Sequence, residues 1–241
     1  MSLRIFNRGG TAADVVLPAK RRVIDWAFEH HDVRSFADLG GLWAVGGSYT
    51  FYALEHHEIE RACLVDESYW TDDTRRRAAG HPQLELVQGD FSSEQTRDRI
   101  GPVDAVLLFD VLLHQVGPDW DEVLLRYAEI ARVLCIVNPQ WSGPETVRLL
   151  DLGPEAYLAA VPEQENHREV VRDPDAVHPA HGRPFRDVHE IWQWGIVDAS
   201  LREVLEPLGY RLVYYENEGR WQDLERFENH AFVFARDRAA V

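Results

Sequence analysis

The stretch that decides the fold reads F-A-D-L-G-G-L-W-A-V-G-G-S-Y-T and covers residues 36–50. A short apolar run, residues 33–39, carries an acid at Asp38 and then breaks into glycines, and a helix is predicted from about Ser48 to His56. Strand, glycine turn and helix in this order form nucleotide pockets in α/β folds, because glycine lets backbone approach a ligand and the helix start offers free amides. An ordinary strand-to-helix turn has the same pattern, so this stretch alone leaves both interpretations open.

The composition narrows the class of partner. The chain has 241 residues, a net charge of −16 and 45% hydrophobic residues, which is enough for a substantial core. Nucleic-acid backbones and anionic membranes need a basic face, so we expect neither a nucleic acid nor a membrane as partner. A neutral or cationic small molecule suits this charge better. The N-terminus has no apolar signal core and no apolar run is long enough to span a bilayer, so a cytoplasmic location is expected.

After the glycine stretch, apolar runs alternate with helical patterns. Strands are predicted at residues 61–66, 84–88, 103–113 and 133–137. Helices are predicted between them at about 68–79 and 92–100, and from a capping signal at Asp119. Short turns between strands and helices predict a parallel, doubly wound sheet. Cys63 and Cys135 each lie inside an apolar run and are expected to be buried thiols.

A polar residue lies at or near the C-terminal end of each of the five predicted parallel strands. Ligands bind at the carboxyl ends of the strands in open sheets of this kind, and these ends share one rim. An isolated acid at a strand end is often only a helix cap, but a complete series on one rim indicates a binding site. The series consists of Asp38, Asp66, Asp90, Asp110 and Asn138.

Residues 139–197 break this pattern with seven prolines and several histidines and tryptophans. We interpret the segment as an insertion that covers the rim, with helices at about 145–151 and 154–160. The pattern then resumes with a helix capped by Asp198, a strand at 210–216 and a last strand from about His230 to Ala235. No helix separates those two strands, so they should pair antiparallel, with Asn229 and His230 at the hairpin loop.

This order of elements resembles the class I S-adenosylmethionine-dependent methyltransferases over about residues 20–138 and 198–237. The resemblance implies a single domain, residues 1–241, with a Rossmann-like, doubly wound, mostly parallel seven-stranded sheet and a C-terminal antiparallel hairpin. It also implies an enzyme that uses S-adenosyl-L-methionine, and the insertion after the fifth strand favours a small-molecule acceptor. The oligomeric state is left open.

The resemblance assigns cofactor contacts to particular residues. In the family, an acid-x-Gly turn after the first strand approaches the amino acid part of the cofactor, and Asp38, Gly40 and Gly41 look like that turn. Asp66 matches the acid that binds the ribose hydroxyls. The resemblance assigns Asp90 and Phe91 to the adenine, and Asp110 to the methionine end of the cofactor.

The glycine turn departs from the family pattern. The usual turn is acid-x-Gly-x-Gly-x-Gly, whereas this chain has Leu42 and Ala44 at the second and third glycines, and Gly46 and Gly47 follow later. A longer loop in which the later glycines serve the same purpose is one explanation. Loss of tight cofactor binding is the other, and it would make the chain a non-catalytic, methyltransferase-like binding protein.

The implied reaction is in-line displacement at the sulfonium methyl, in which the protein mainly positions the reactants and excludes water. His114, directly after the fourth strand, is a candidate base, although a histidine in a turn is often only a hydrogen-bonding group. His189 is a second candidate because it lies among aromatic residues, in R-D-V-H-E-I-W-Q-W-G at 186–195. Acceptor contacts are predicted for Asn138, Gln140, Trp141, Trp192 and Gln193. Packing of the tryptophans into the core is the alternative.

Two further interpretations were weighed. Asp110 with Asn138 resembles part of a magnesium site of catechol-type O-methyltransferases, but a third acidic ligand is not identifiable, so no metal is expected. An NAD-dependent oxidoreductase would also use Asp66 for the ribose. The missing Gly-x-Gly-x-x-Gly motif and the terminal hairpin count against it.

Overall fold

The computed structural model describes residues 17–43 and 45–237. The apolar pattern of residues 15–30 predicts a helix before the first strand, but Val16 of that pattern lies outside the described residues, as does Ala44 of the glycine turn. The strands are β1 (Ser35–Leu39), β2 (Arg61–Asp66), β3 (Leu84–Gln88), β4 (Ala105–Phe109), β5 (Val133–Trp141), β6 (Val147–Arg148), β7 (Trp194–Gly195), β8 (Arg211–Arg220) and β9 (Phe227–Ala235). The helices are α1 (Pro18–His31), α2 (Ser48–His56), α3 (Asp72–Ala78), α4 (Glu94–Ile100), α5 (Trp120–Ala128), α6 (Pro154–Ala160), α7 (Glu165–Arg172) and α8 (Asp198–Leu205).

Seven strands form one sheet in the order β3-β2-β1-β4-β5-β9-β8. The first five pair in parallel, whereas β9 pairs antiparallel with both β5 and β8. This confirms the predicted fold class, including the terminal hairpin. The short strands β6 and β7 form a separate antiparallel pair inside the insertion.

The central strand β4, with sequence A-V-L-L-F, is buried on both faces. Val106 and Leu108 face a core that includes α5 and α8, while Leu107 and Phe109 face a core that includes α1 and α2. Successive side chains of a strand point to opposite faces, so an uninterrupted apolar run requires cover on both sides. Each fully buried aliphatic side chain of this kind contributes about 1.5–3 kcal/mol.

Several predicted boundaries were wrong. The strand predicted over 103–113 ends at Phe109, because Asp110 adopts a left-handed conformation with φ 57° and turns the chain out of the sheet. The strand predicted to end at 137 continues to Trp141, because β9 pairs with it along its full length. His230 therefore lies within β9, opposite Asn138, and not in the hairpin loop.

Two predicted caps were also wrong. Asp119 precedes α5, but its side chain accepts no hydrogen bond from that helix. Asp198 is the first residue of α8, and its carboxylate binds His230 Nδ1 at 2.8 Å. Cys63 and Cys135 are buried free thiols, as predicted.

The insertion has its own apolar core. The segment expected to be helical at 145–151 forms β6 and a 3-10 turn, Leu149–Leu152, while α6 confirms the helix expected at 154–160. The sequence analysis did not anticipate α7, which buries only His167 and Val170. Side chains of Trp141 and Phe227, at the ends of β5 and β9, join this core to the main sheet. None of the helices in the described ranges has the length and apolar content needed to cross a bilayer.

The strand β8 forms one edge of the sheet and carries four charged residues, Arg211, Glu216, Glu218 and Arg220. Arg22 of α1 contacts Glu216 and Glu218 of this strand at 2.7 and 2.8 Å. The opposite edge, β3, has only five residues. The edge formed by β8 is therefore charged, and the edge formed by β3 is short.

Asp104 fixes the N-terminal side of the sheet, away from the rim. Its carboxylate accepts hydrogen bonds from the backbone N–H of Arg34 and Ser35, both at 3.0 Å, and from Arg132 Nε at 3.0 Å. Burial disfavours the charged form of this carboxylate. The hydrogen-bond donors and the charge of Arg132 outweigh this effect and lower the pKa of Asp104.

We expect Asp104→Ala to lower the free energy of unfolding by about 3 kcal/mol, because several donors lose a charged acceptor. Urea unfolding at pH 7 measures the change. Asp73→Ala, which removes an exposed ion pair with Arg76, is the control and should change stability by less than about 0.5 kcal/mol. Equal effects of the two substitutions would contradict this role of Asp104.

Candidate functional site

The glycine turn after β1 lies against two apolar side chains at the rim. Gly40 has φ 68°, and its N–H donates to Val65 O at 2.8 Å. A Cβ atom at this position would be 2.9 Å from Val111 Cγ1 and 3.5 Å from Phe91 Cε1. Both the backbone conformation and the close approach therefore require glycine here. This juxtaposition brings three predicted cofactor segments together.

Asp38 lies below the turn and is buried. Thr50 Oγ1 of α2 donates to its Oδ2 at 2.6 Å, and a Cβ atom at Gly41 would be only 2.5 Å from the same oxygen. Burial raises the pKa of Asp38 to about 7, although the Thr50 hydrogen bond and the positive charge of Lys20 act in the opposite direction. Asp38 therefore supports the turn and changes its charge near neutral pH.

Asp66 ends β2 and is 4% exposed. Its Oδ2 accepts the backbone N–H of Leu42 at 3.0 Å, and its Oδ1 accepts that of Ser68 at 2.9 Å. The carboxylate thus ties the glycine turn to β2. Each carboxylate oxygen has a second acceptor position, so one on each oxygen is left after these two bonds.

Asp90 and Phe91 follow β3 along the same rim. Asp90 is exposed, and its Oδ1 accepts the backbone N–H of Ser92 at 2.8 Å. The carbonyl of Phe91 accepts the Tyr127 hydroxyl at 2.7 Å, which fixes this loop to α5. The ring of Phe91 is therefore held beside Gly40.

Asp110 pairs with a residue that the sequence analysis missed. Lys20 of α1 is 5% exposed, and its Nζ lies 2.5 Å from Asp110 Oδ2. The same ammonium lies 5.0 Å from the ring centre of Tyr49 and 5.7 Å from that of Phe109. Burial disfavours the charged ammonium, but attraction to Asp110 and Tyr49 outweighs it and raises the pKa of Lys20. The sequence does contain a sign of this burial. Lys20 lies three and four residues before Val23 and Ile24, and so shares the apolar face of α1 with them.

The insertion is attached to the segment that follows β4 by backbone and side-chain hydrogen bonds. Gln193 N donates to Leu113 O at 3.0 Å, and Trp194 Nε1 donates to Gln115 O at 2.7 Å. The other two bonds link His114 Nδ1 to Ile191 O at 2.8 Å and His189 Nε2 to Val116 O at 3.0 Å. The structure thus brings both candidate catalytic histidines to the contact between the insertion and the end of β4.

These two histidines have opposite tautomers. A carbonyl oxygen only accepts hydrogen bonds, so Nδ1 of His114 and Nε2 of His189 each carry a proton. In the neutral forms, the free lone pair lies on Nε2 of His114 and on Nδ1 of His189. Burial lowers the pKa of His114, so a neutral imidazole is favoured there.

His167 of α7 is a third histidine near this contact. Its Nδ1 donates to Pro162 O at 2.8 Å, and its Nε2 accepts the backbone N–H of Trp192 at 3.3 Å. Burial lowers its pKa to about 4. Both ring nitrogens are used within the insertion, so His167 is a structural residue.

The five predicted acceptor-binding residues fall into two groups. Asn138 and Gln140 are buried at the end of β5, beside the rim. Trp141 and Trp192 pack with Phe227 in the core of the insertion, with ring centres 5.1 and 4.9 Å from it. Gln193 Nε2 donates to Arg186 O and Val188 O, both at 2.9 Å, and so supports the insertion.

One cluster of metal-ligating side chains occurs within residues 17–43 and 45–237. Potential ligand atoms of His178, His181 and Glu190 lie within 4.8 Å of one another on the surface of the insertion. The cluster includes neither Asp110 nor Asn138, the pair considered for magnesium.

The buried carboxyl of Asp38 predicts an unusual pH dependence. Its folded pKa, about 7, lies above the unfolded value, so its contribution to stability is complete below about pH 4 and is lost as pH rises through 7. We expect Asp38→Asn to increase the free energy of unfolding by about 2 kcal/mol at pH 8 and by much less at pH 4.5. Chemical denaturation at both pH values measures this difference. An exposed control, Asp98→Asn, should show no such pH dependence, and an equal effect of Asp38→Asn at both pH values would count against the burial argument.

Nuclear magnetic resonance can test the histidine assignments directly. At pH 7.5, we expect long-range ¹H–¹⁵N spectra to show His114 as the neutral Nδ1–H tautomer, because burial lowers its pKa and its Nδ1 donates to a carbonyl. His189 should show Nε2–H. His114→Asn and His189→Gln, which keep a donor at the bonded position, assign the signals. A charged His114 at pH 7 would be incompatible with this arrangement.

Comparison with known proteins finds no matching family model and no matching curated protein. Solved structures do match. The N-terminal domain of EvdMO1, with SAH bound, has a TM-score of 0.56 and 15% identity, covering 93% of this chain and 83% of that chain. The Burkholderia thailandensis 1,6-didemethyltoxoflavin-N1-methyltransferase also has a TM-score of 0.56 and 15% identity, covering 91% and 79%.

The mitomycin 7-O-methyltransferase MmcR matches with a TM-score of 0.52 and 14% identity, covering 91% of this chain and 54% of that chain. These identities are low, so the likeness concerns the fold. Together with the strand order and the glycine turn of the rim, it shows that the chain has the fold of the class I S-adenosylmethionine-dependent methyltransferases.

Proposed function

We propose that the protein is an S-adenosylmethionine-dependent methyltransferase that acts on a small-molecule acceptor by in-line methyl transfer. The observation that carries the proposal is that the side chains of Val111 and Phe91 occupy the space where a Gly40 side chain would lie, in the turn tied to the carboxylate of Asp66. It provides a bare backbone surface, an apolar wall and paired acceptor oxygens at one rim. Solved structures of this fold with SAH bound support the choice of cofactor.

The residues at the rim match the chemical parts of this cofactor. The remaining acceptor positions of Asp66 suit the two ribose hydroxyls, and Phe91 with Val111 suits the adenine ring. Lys20 and Asp110 suit the carboxylate and the ammonium of the amino acid part. Asp110 Oδ1 is buried and accepts no hydrogen bond from the described residues, so it is available for a donor.

The bound cofactor supplies an activated methyl group on its sulfonium. The chain then has to position the acceptor, exclude water and, where the acceptor must lose a proton, take up that proton. The insertion, attached to the segment after β4 by four hydrogen bonds, provides the cover. His114 Nε2 is the proton acceptor in this proposal, because burial keeps the ring neutral and its other nitrogen is fixed to Ile191. His189 is the second candidate for this role.

A small molecule is the favoured acceptor. Two structural neighbours, the mitomycin 7-O-methyltransferase and the 1,6-didemethyltoxoflavin-N1-methyltransferase, are named for small acceptors methylated on oxygen or nitrogen. The net charge of −16 disfavours a nucleic acid. The buried free thiols Cys63 and Cys135 are compatible with a reducing compartment and support a cytoplasmic location.

One observation favours a second candidate, a non-catalytic binding protein with this fold. The Leu42 N–H occupies one acceptor position of Asp66, whose exposure is only 4%. Leu42 replaces a glycine of the family pattern, so a closed turn that no longer admits the cofactor is the competing explanation.

Thermal unfolding with and without S-adenosylhomocysteine separates the two candidates. At about a hundredfold its dissociation constant, the ligand should add about 2.7 kcal/mol, which corresponds to about 5–10 °C in Tm for a domain of this size. Asp66→Ala should weaken binding at least about tenfold, because the hydroxyl acceptor is lost.

The control variant is Asp73→Ala, which removes an exposed carboxylate outside the rim and should retain full affinity. NADH in a parallel sample should produce no shift. Absence of a shift with saturating S-adenosylhomocysteine would reject the methyltransferase and favour the non-catalytic protein. A shift with NADH alone would favour the oxidoreductase.

A further inference from the structure

Buried polar atoms without partners collect at the ends of β4 and β5. Five such atoms, on four residues, accept or donate no hydrogen bond within the described part of the chain: Asp110 Oδ1, Gln115 Oε1, Asn138 Oδ1, Gln140 Oε1 and Gln140 Nε2. Folded proteins leave few buried polar atoms unpaired, because each one loses its hydrogen bonds to water on folding. A group of them in one place therefore requires an explanation.

Three of these residues, Gln115, Asn138 and Gln140, belong to the segments that the insertion contacts at the ends of β4 and β5. Asn138 and Gln140 are two residues apart on β5 and so point to the same face of the sheet. Asp110 N donates to Val137 O at 2.8 Å, which joins the end of β4 to β5. Gln115 lies one short turn further along, where Trp194 of the insertion donates to its carbonyl. The unpaired atoms of Gln115, Asn138 and Gln140 thus belong to segments that are hydrogen-bonded to the insertion.

The hydrogen bonds that do exist fix which amide atoms remain unpaired. Asn138 Nδ2 donates to Pro139 O at 2.8 Å, and Gln115 Nε2 donates to Val111 O at 3.0 Å. Exchanging the oxygen and nitrogen of either amide would bring two oxygens together. Both polar atoms of Gln140 are unpaired, so its orientation does not matter. Four of the five atoms are therefore hydrogen-bond acceptors, and one is a donor.

We propose that Gln115, Asn138 and Gln140 form the acceptor subsite beside Asp110, whose Oδ1 is left to the cofactor, and that the acceptor is a neutral molecule bearing several O–H or N–H donors. This rests on the methyltransferase function proposed above. Hydroxyl or amine hydrogens satisfy the unpaired oxygens, whereas a carboxylate or phosphate group brings more acceptor oxygens and a negative charge toward Asp110. Lys20 already neutralises Asp110, so the subsite has no spare cation for an anionic acceptor.

Gln140 is the specificity residue in this subsite. It is 1% exposed and presents one acceptor and one donor, both unpaired. A site built to pair such a group discriminates strongly against ligands that leave it unpaired. Before the acceptor binds, the side chain of Gln140 makes no hydrogen bond with the described residues.

A matched pair of substitutions tests whether Gln140 is unpaired in the protein without an acceptor. Gln140→Met should leave Tm unchanged or raise it, because an unpaired polar group is replaced by an apolar one of similar size. Gln193→Met is the control, since Gln193 is equally buried but donates to Arg186 O and Val188 O. It should lower Tm by about 5 °C or more. Both variants should keep the affinity of the wild type for S-adenosylhomocysteine.

Paired probes test the class of acceptor in protein saturated with S-adenosylhomocysteine. We expect D-galactose or catechol to raise the Tm of the wild type, and D-galacturonate and 2,3-dihydroxybenzoate, their carboxylate counterparts, to raise it less. The shifts should disappear in Gln140→Met.

The possible outcomes are distinct. A drop in Tm for Gln140→Met comparable to that for Gln193→Met would show that bound water or protein already pairs this residue, and would overturn the subsite. Larger shifts with the anionic probes, or no shift with either neutral probe, would overturn the acceptor class. Failure of the wild type to bind S-adenosylhomocysteine would instead reject the methyltransferase function on which the subsite rests.

Discussion

The parallel pairing of β1 with β2 and β4 is the constraint on which the rest of the structure depends. Because these strands are buried on both faces, their polar groups can appear only where the strands end, and parallel pairing places those ends on one rim. Asp38, Asp66 and Asp110 are consequently close together in an acidic protein. Lys20 supplies the opposite charge from α1, so one buried cation makes this concentration of carboxylates possible.

The insertion is attached to the segment after β4 through both its backbone and its side chains. His114 and His189 each use one ring nitrogen in a hydrogen bond of this attachment. These bonds fix the tautomer and the orientation of both rings. The tryptophans of the insertion provide its apolar core, and Gln193 satisfies its carbonyls. Hydrogen-bonded polar groups thus attach the insertion, whereas the side-chain oxygens of Asn138 and Gln140 make no hydrogen bond within the described residues.

The sequence predicted the features that depend on local pattern. Apolar runs followed by an acid located the ends of β1 and β2, and the missing helix before β9 predicted the hairpin. Features that depend on distant partners were missed. The extension of β5 to Trp141 comes from pairing with β9, and the polar helix α7 is stabilised by a core that forms only when the insertion folds. Lys20 was overlooked because its importance comes from Asp110, ninety residues away.

The charged edge formed by β8 has a consequence for how this chain behaves among its own copies. An open sheet exposes unpaired N–H and C=O groups at each edge, and these invite pairing with another strand. A second molecule approaching β8 would have to bring its own backbone against Glu216 and Glu218 and compete with Arg22, which already spans them. The same ion pairs that attach α1 to the sheet therefore also oppose edge-to-edge aggregation, and they do so most effectively at low ionic strength.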